Sequence, residues 1–262
     1  MPMPHFEVHA NAAATDMLLV HGNLASINWW KPFLEVAERG LKSTNSANRG
    51  TIVAVDLRGH GQTPLPQNET LQAKALVDDL ALVVEELGLH NVLAIGHSAG
   101  GLLTALLAAR KPQALTRLIL IDPVGPKGLQ NVPADIEQKY AMMSADRNVA
   151  AQVISFTIHQ NDPTRSFFQK EIMDDSMKAL KTVNLGLVRA LENVDFSHDI
   201  AQVRQPFTVF HGAHDWVLSE DNATDYVKLA KQGEFVKLPE NGHCLLYENP
   251  ERLFTEVQKY LR

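Results

Sequence analysis

Six short apolar runs bounded by turn-forming residues recur along this chain: MLLV (17–20), TIVAV (51–55), VLAI (92–95), RLILI (117–121), FTVF (207–210) and EFVKL (234–238). Runs this short and this apolar fit strands buried in a sheet. Helical patterns separate them. The clearest places Leu76, Leu80, Val83, Val84 and Leu87 on one face and stops at Gly88. Strand and helix in alternation require a mostly parallel central sheet flanked by helices, because a parallel return needs a long crossover. One interval breaks the rhythm. Between residues 124 and 200 no comparable strand occurs, and helical patterns follow one another at 133–144, 149–159, 164–172 and 176–193. The expectation is an α/β core formed by residues 1–123 and 200–262, with residues 124–199 as an inserted helical lid over the strand ends.

A chain of 262 residues can bury a full core, and 45% hydrophobic with 21% charged residues is ordinary for a folded globular protein. The formal net charge of −6 comes without a basic stripe, so nucleic acid is not an expected partner. A single cysteine, Cys244, allows no internal disulfide and no thiolate cluster for zinc; a small buried hydrophobe is its expected role. With no charged-then-apolar leader at the start, the expectation is the cytoplasm. Residues 92–109 contain no Asp, Glu, Lys or Arg and have Gly96 and Gly100 at GxxxG spacing. A membrane helix there would hold His97, Ser98 and Gly101 at mid-bilayer. The apolar half before Gly96 has the length of a strand, so no membrane span is expected. Oligomeric state is left open.

Read as strand, turn and helix, VLAIGHSAGG (92–101) sets Ser98 at the carboxyl end of a strand and the amino end of a helix. Free N–H groups and the helix dipole there favour developing negative charge. Gly96 and Gly100 fit a backbone that reverses tightly around the serine. On the pentapeptide alone, a glycine-rich phosphate loop or a plain turn is the second reading.

A serine hydroxyl needs a base to become a nucleophile, and the base needs an orienting group. Among eleven histidines, His243 in PENGHCLLYENPERL lies on a loop after the last strand, where it can reach over the sheet edge. Asp215 in FHGAHDWVL follows the strand at 207–210. Ser98, Asp215, His243 is the chain order expected of a nucleophile-elbow sheet. Asp122, ending RLILID, is the second choice as orienter and reads first as a cap of the turn at Pro123. LLVHGNLAS offers the N–H of Asn23, which with that of Ala99 would hold an oxyanion; His21 reads as a hydrogen-bonded structural residue.

His211, His214 and Asp215 are close in sequence, but zinc needs three or four converging ligands and no second cluster completes a set. No metal and no cofactor are expected. Trp216 reads equally as pocket wall or core. In the helical interval, Met142, Met143, Phe156, Phe167 and Phe168 have spacing that fits internal packing, and Phe156 and Met142 join Trp216 as the candidate substrate contacts. Arg165 reads as an exposed arginine or as a partner for a substrate carboxylate.

The distributed set HGN, DLRGHGQT, GHSAGG, HGAHD and NGHC, in that order, resembles the α/β-hydrolase superfamily and, more narrowly, its lid-bearing serine esterases. The resemblance spans residues 17–123 and 200–262 and leaves the helical interval outside. It implies Ser98 as nucleophile, His243 as general base and acid, Asp215 as orienting carboxylate, and Asn23 with Ala99 as oxyanion donors. The implied activity is hydrolysis of small to medium carboxylic esters through an acyl-enzyme. A carbon–carbon bond hydrolase or lactonase with the same trio, or a ligand receptor that keeps the fold, remains an alternative.

Overall fold

A computed structural model describes residues 3–11, 13–41, 50–111 and 113–261. Among them, strands β1 (Phe6–Asn11), β2 (Met17–Val20), β3 (Gly50–Val55), β4 (Val92–His97), β5 (Leu115–Ile121), β6 (Phe207–Gly212) and β7 (Gly233–Leu238) form one sheet in the order β1-β3-β2-β4-β5-β6-β7. All six apolar runs are strands of this sheet, and neighbours from β3 to β7 pair in parallel. The seventh strand, β1, was not expected. It runs antiparallel on β3 with Phe6 opposite Val55, and it is an edge strand whose Val8 is exposed. Its signal is the alternation of Phe6, Val8 and Ala10 with Glu7 and His9, which is how a half-exposed edge reads.

The helices are α1 (Lys31–Leu41), α2 (Ala73–Glu86), α3 (Ala99–Arg110), α4 (Ile136–Ala145), α5 (Arg147–Thr157), α6 (Met173–Thr182), α7 (Gly186–Leu191), α8 (Ser197–Ile200), α9 (Glu220–Leu229), α10 (Leu245–Glu248) and α11 (Pro250–Val257). Successive strand residues point to opposite faces, so the sheet divides the core in two. Leu19, Ile52, Leu93 and Ile119 pack with Phe33 of α1 and Val257 of α11. Their neighbours Leu18, Val53, Ala94 and Leu118 pack with Leu80 of α2 and Leu102 of α3. Residues 92–109 are thus β4 followed by α3, and among the described residues no helix is long and apolar enough to cross a membrane.

Between β5 and β6 the chain is helical, with two departures from the sequence reading. The pattern at 176–193 is split: α6 ends at Thr182, Asn184 takes a φ of 48°, and α7 starts at Gly186. The pattern at 164–172 becomes a π turn (Phe168–Ile172) that runs straight into α6. These helices sit on the loops that leave β2 and β3. Asn23 Nδ2 donates to Tyr140 Oη at 2.8 Å, Ser176 Oγ to the carbonyl of Leu24 at 2.8 Å, and Thr182 Oγ1 to the carbonyl of Gly59 at 2.6 Å.

Candidate active site

Ser98 stands between β4 and α3 with φ 55° and ψ −121°, a strained conformation for a residue with a side chain. Its backbone is clamped. The N–H donates to the carbonyl of Ile121 at 2.9 Å, and the carbonyl accepts from Gly101 and Val124, each at 3.0 Å. Two glycines make room. A Cβ on Gly22 would lie 2.9 Å from the Cβ of Ser98, and one on Gly100 would lie 2.4 Å from the carbonyl oxygen of His21. The conformation is therefore held by a neighbouring strand, a neighbouring loop and the helix at once, and it presents a 9% exposed Ser98 to a cavity.

His243 and Asp215 are paired: Nδ1 lies 2.8 Å from Oδ2. The other carboxylate oxygen of Asp215 accepts the N–H groups of Val217 (2.7 Å) and Leu218 (3.1 Å). Burial pushes the Asp215 carboxyl up, but the His243 charge, its hydrogen bond and those two N–H groups outweigh this and hold it below the usual range. The pair leaves Nε2 of His243 for chemistry. His243 and Ser98 border the same cavity, of about 230 Å³, and among the described residues no hydrogen bond yet joins them.

The loop that carries His243 is fixed from two sides. His97 Nε2 donates to the His243 carbonyl at 2.9 Å; burial first, and then the nearby His243 ring, lower His97 to about 3, so it stays neutral. Glu248 accepts the N–H groups of Gly242 (2.7 Å) and Cys244 (3.0 Å) on either side of His243, and that of His159 (2.8 Å) beyond α5. Sequence reasoning missed Glu248. The available signal was its position five residues after a candidate base, in the short helix that follows the base's loop.

Asp122 is not the cap of a turn at Pro123. Its φ is 42°, it is 1% exposed, and its Oδ1 accepts the Gly212 N–H at 2.9 Å and lies 3.1 Å from His211 Nδ1. Burial, then the Asp215 charge, raise its carboxyl well above the usual range. Asp122, His211 and Asp215 bring ligand-type atoms within 4.8 Å of one another, but these atoms are engaged in mutual contacts and with His243. His214 turns away and stacks on His159 at 4.2 Å. His21 is structural, as expected: it contacts the Gly22 carbonyl through Nδ1 at 2.7 Å and accepts the Leu57 N–H at Nε2 at 2.9 Å.

Two cavities meet at Ser98. The larger, about 620 Å³, is bordered by Asn23, Ser98 and Ala99 and extends beneath α4 and α7. Ala99 opens α3, so its N–H has no partner within the helix, and neither it nor the Asn23 N–H donates to another group among the described residues. Trp216 borders the smaller cavity while 63% exposed, and its Nε1 donates to the Phe156 carbonyl at 2.6 Å. Met142 and Phe156 border neither cavity and are 51% and 72% exposed. Helix phase explains the miss: on α4 the inward residues are Tyr140 and Met143, three apart, and Met142 falls on the outer side. Cys244 is buried beside the Thr157 carbonyl, and burial raises its thiol well above the ordinary value. Arg165 lies in a separate pocket with His159 and Tyr247.

Known proteins agree with this architecture. The chain is 25% identical over 229 residues to the AB hydrolase superfamily protein YisY of Bacillus subtilis, covering 80% of each. It is 24% identical over 274 residues to the mouse sn-1-specific diacylglycerol lipase ABHD11, covering 100% of this chain and 85% of the relative. The solved structure of an esterase from Exiguobacterium antarcticum superposes with a TM-score of 0.79 over 97% of this chain and 94% of that one at 17% identity, which is a likeness of fold. The family model described as alpha/beta hydrolase fold matches residues 17–250, and this chain therefore belongs to the α/β-hydrolase family.

Proposed function

We propose that this protein is a serine hydrolase that cleaves small to medium carboxylic esters through an acyl-enzyme, with the helices of residues 124–199 acting as a lid over the core. The observation that carries the reading is the strained Ser98 sharing a cavity with His243, whose ring is in turn paired with Asp215. Ser98 Oγ attacks the carbonyl carbon while its proton passes to His243 Nε2. The oxyanion collects between the N–H groups of Asn23 and Ala99, neither of which donates to another group among the described residues. The C–O bond to the alcohol then breaks, and Nε2 returns the proton to the leaving oxygen. Water, deprotonated by the same nitrogen, attacks the acyl carbon and releases the acid and free Ser98. Asp215 stays ionised throughout; its depressed carboxyl holds the ring in the tautomer with Nε2 free to accept.

A small-molecule substrate fits the two cavities beside Ser98, and a single unpaired cysteine fits work in the cytoplasm. A fluorophosphonate probe is expected to label Ser98 and no other serine, and hydrolysis of p-nitrophenyl butyrate is expected to disappear in Ser98→Ala. Unchanged turnover in that variant would refute the reading.

A further inference from the structure

We infer that the small cavity takes the alcohol of the ester and the larger cleft takes the acid, so that the preferred substrates join a small apolar alcohol to a bulkier acyl chain ending in polar groups. This rests on the ester hydrolysis proposed above and adds the direction in which the substrate lies. Ser98, Asn23, Tyr140 and Val217 border both volumes, so the carbonyl carbon sits at their junction. Ala99 borders only the larger cleft and His243 only the smaller cavity. The tetrahedral carbon carries Oγ, the oxyanion, the acyl chain and the leaving oxygen. The leaving oxygen must lie within about 3 Å of the imidazole that protonates it. It therefore departs on the side that His243 borders, and the acyl chain is left the cleft of about 620 Å³.

The walls then state the chemistry of each half. The alcohol side is walled by Leu24, Trp29, Met143, Ile154 and Cys244, all buried, with the more exposed Trp216 and Val153 at its mouth, in about 230 Å³. The inner wall of the acyl side is apolar, with Val124, Leu187 and Leu191 buried, and its rim carries the exposed Lys127, Asn131 and Asp221. An acyl chain that is apolar next to the carbonyl and hydrogen-bonding at its far end satisfies both zones; a bulky polar alcohol would bury unpaired groups on the other side.

The test uses an inverted pair of alkyl esters with the same polar end, methyl 6-hydroxyhexanoate and 6-hydroxyhexyl acetate. The purified protein is expected to give a kcat/KM at least about tenfold higher for the methyl ester, the scale that pocket fit supplies. Val153, 38% exposed on the alcohol-side wall, provides a second measurement. Val153→Phe is expected to lower kcat/KM for butyl relative to methyl hexanoate by about fivefold or more while the ranking among methyl esters of different acids is kept. Equal or reversed preference within the inverted pair, or a Val153→Phe effect confined to acyl length, would overturn the orientation while Ser98-dependent turnover left the hydrolase reading standing. Failure of every ester, with no fluorophosphonate labelling of Ser98, would overturn both.

Discussion

The carboxyl edge of the sheet and the helical segment above it build the site by different means. On the sheet side, Ser98, Asp215 and His243 each lie within five residues of a strand end, and their placement is decided locally: a clamped elbow at 98, two N–H groups on Asp215, and Glu248 bracketing the His243 loop. On the helical side, Tyr140, Met143, Val153 and Leu187 reach the cavities only because α4, α5 and α7 dock in one particular way on loops distant in the chain. The difference implies that reactive geometry is a property of the sheet, and that which molecule fits is a property of the helices.

Substitutions on the two sides should therefore fail differently. The largest effect is expected at the sheet edge. Asp215→Asn should lower kcat by about 10⁴-fold because the ring loses its tautomer and its counter-charge. Asp122→Asn, whose carboxyl burial and the Asp215 charge raise well above the usual range and which does not touch the His243 ring, should lower it by less than about a hundredfold. Equal losses would show that the two carboxyls act as one unit and that Asp215 alone does not orient the base.

Acid should weaken the sheet side in a way that can be counted. His97 and His60 are each lowered to about 3, by burial first and then by a neighbouring histidine. The unfolded chain takes up these protons below about pH 6.5 while the folded chain refuses them, so stability falls as pH drops from about 6.5 toward 3. His60→Gln, which keeps a donor for the Arg58 carbonyl, should flatten the slope of unfolding free energy by about 1.4 kcal/mol per pH unit between pH 6 and 4. Urea titrations at several pH values check this; an unaltered slope would mean His60 does not stay neutral in the fold.

Glu248→Gln replaces one acceptor oxygen with a donor facing the loop N–H groups, and a loss of about 1–3 kcal/mol of loop order is expected. The readout is kcat reduced about tenfold or more with KM nearly constant, since the base moves and the cavities do not. The smallest effect should come from Tyr140→Phe, which removes the acceptor of the Asn23 side chain and about 1 kcal/mol of contact between α4 and the loop after β2. There KM should rise a few-fold with kcat nearly kept. A Tyr140→Phe effect on kcat larger than that of Glu248→Gln would break the division between the two regions.

The same division governs what could be read from the chain. Six strands were legible because buried parallel strands leave uninterrupted apolar runs, and β1 escaped because an edge strand alternates with Glu7 and His9. Ser98, Asp215 and His243 were legible as positions because turn chemistry and strand ends are local; the structure pairs the last two and sets Ser98 and His243 on one cavity wall. The phase of α4 was not legible. Met142 and Met143 are equally apolar neighbours, and only docking decides which one borders the cavity. The split at Asn184 was hidden for the same reason, since Leu180, Leu187 and Leu191 keep an apolar periodicity through a break that tertiary contact at Gly59 favours.

The most direct test is a stopped-flow experiment with p-nitrophenyl acetate, quenched and mapped by peptide mass. A burst of one nitrophenolate per active site, with the acetyl group found on Ser98 and no burst in Ser98→Ala, is the expected result. Steady turnover without a burst and without acetyl-Ser98, undiminished when position 98 is alanine, would contradict it.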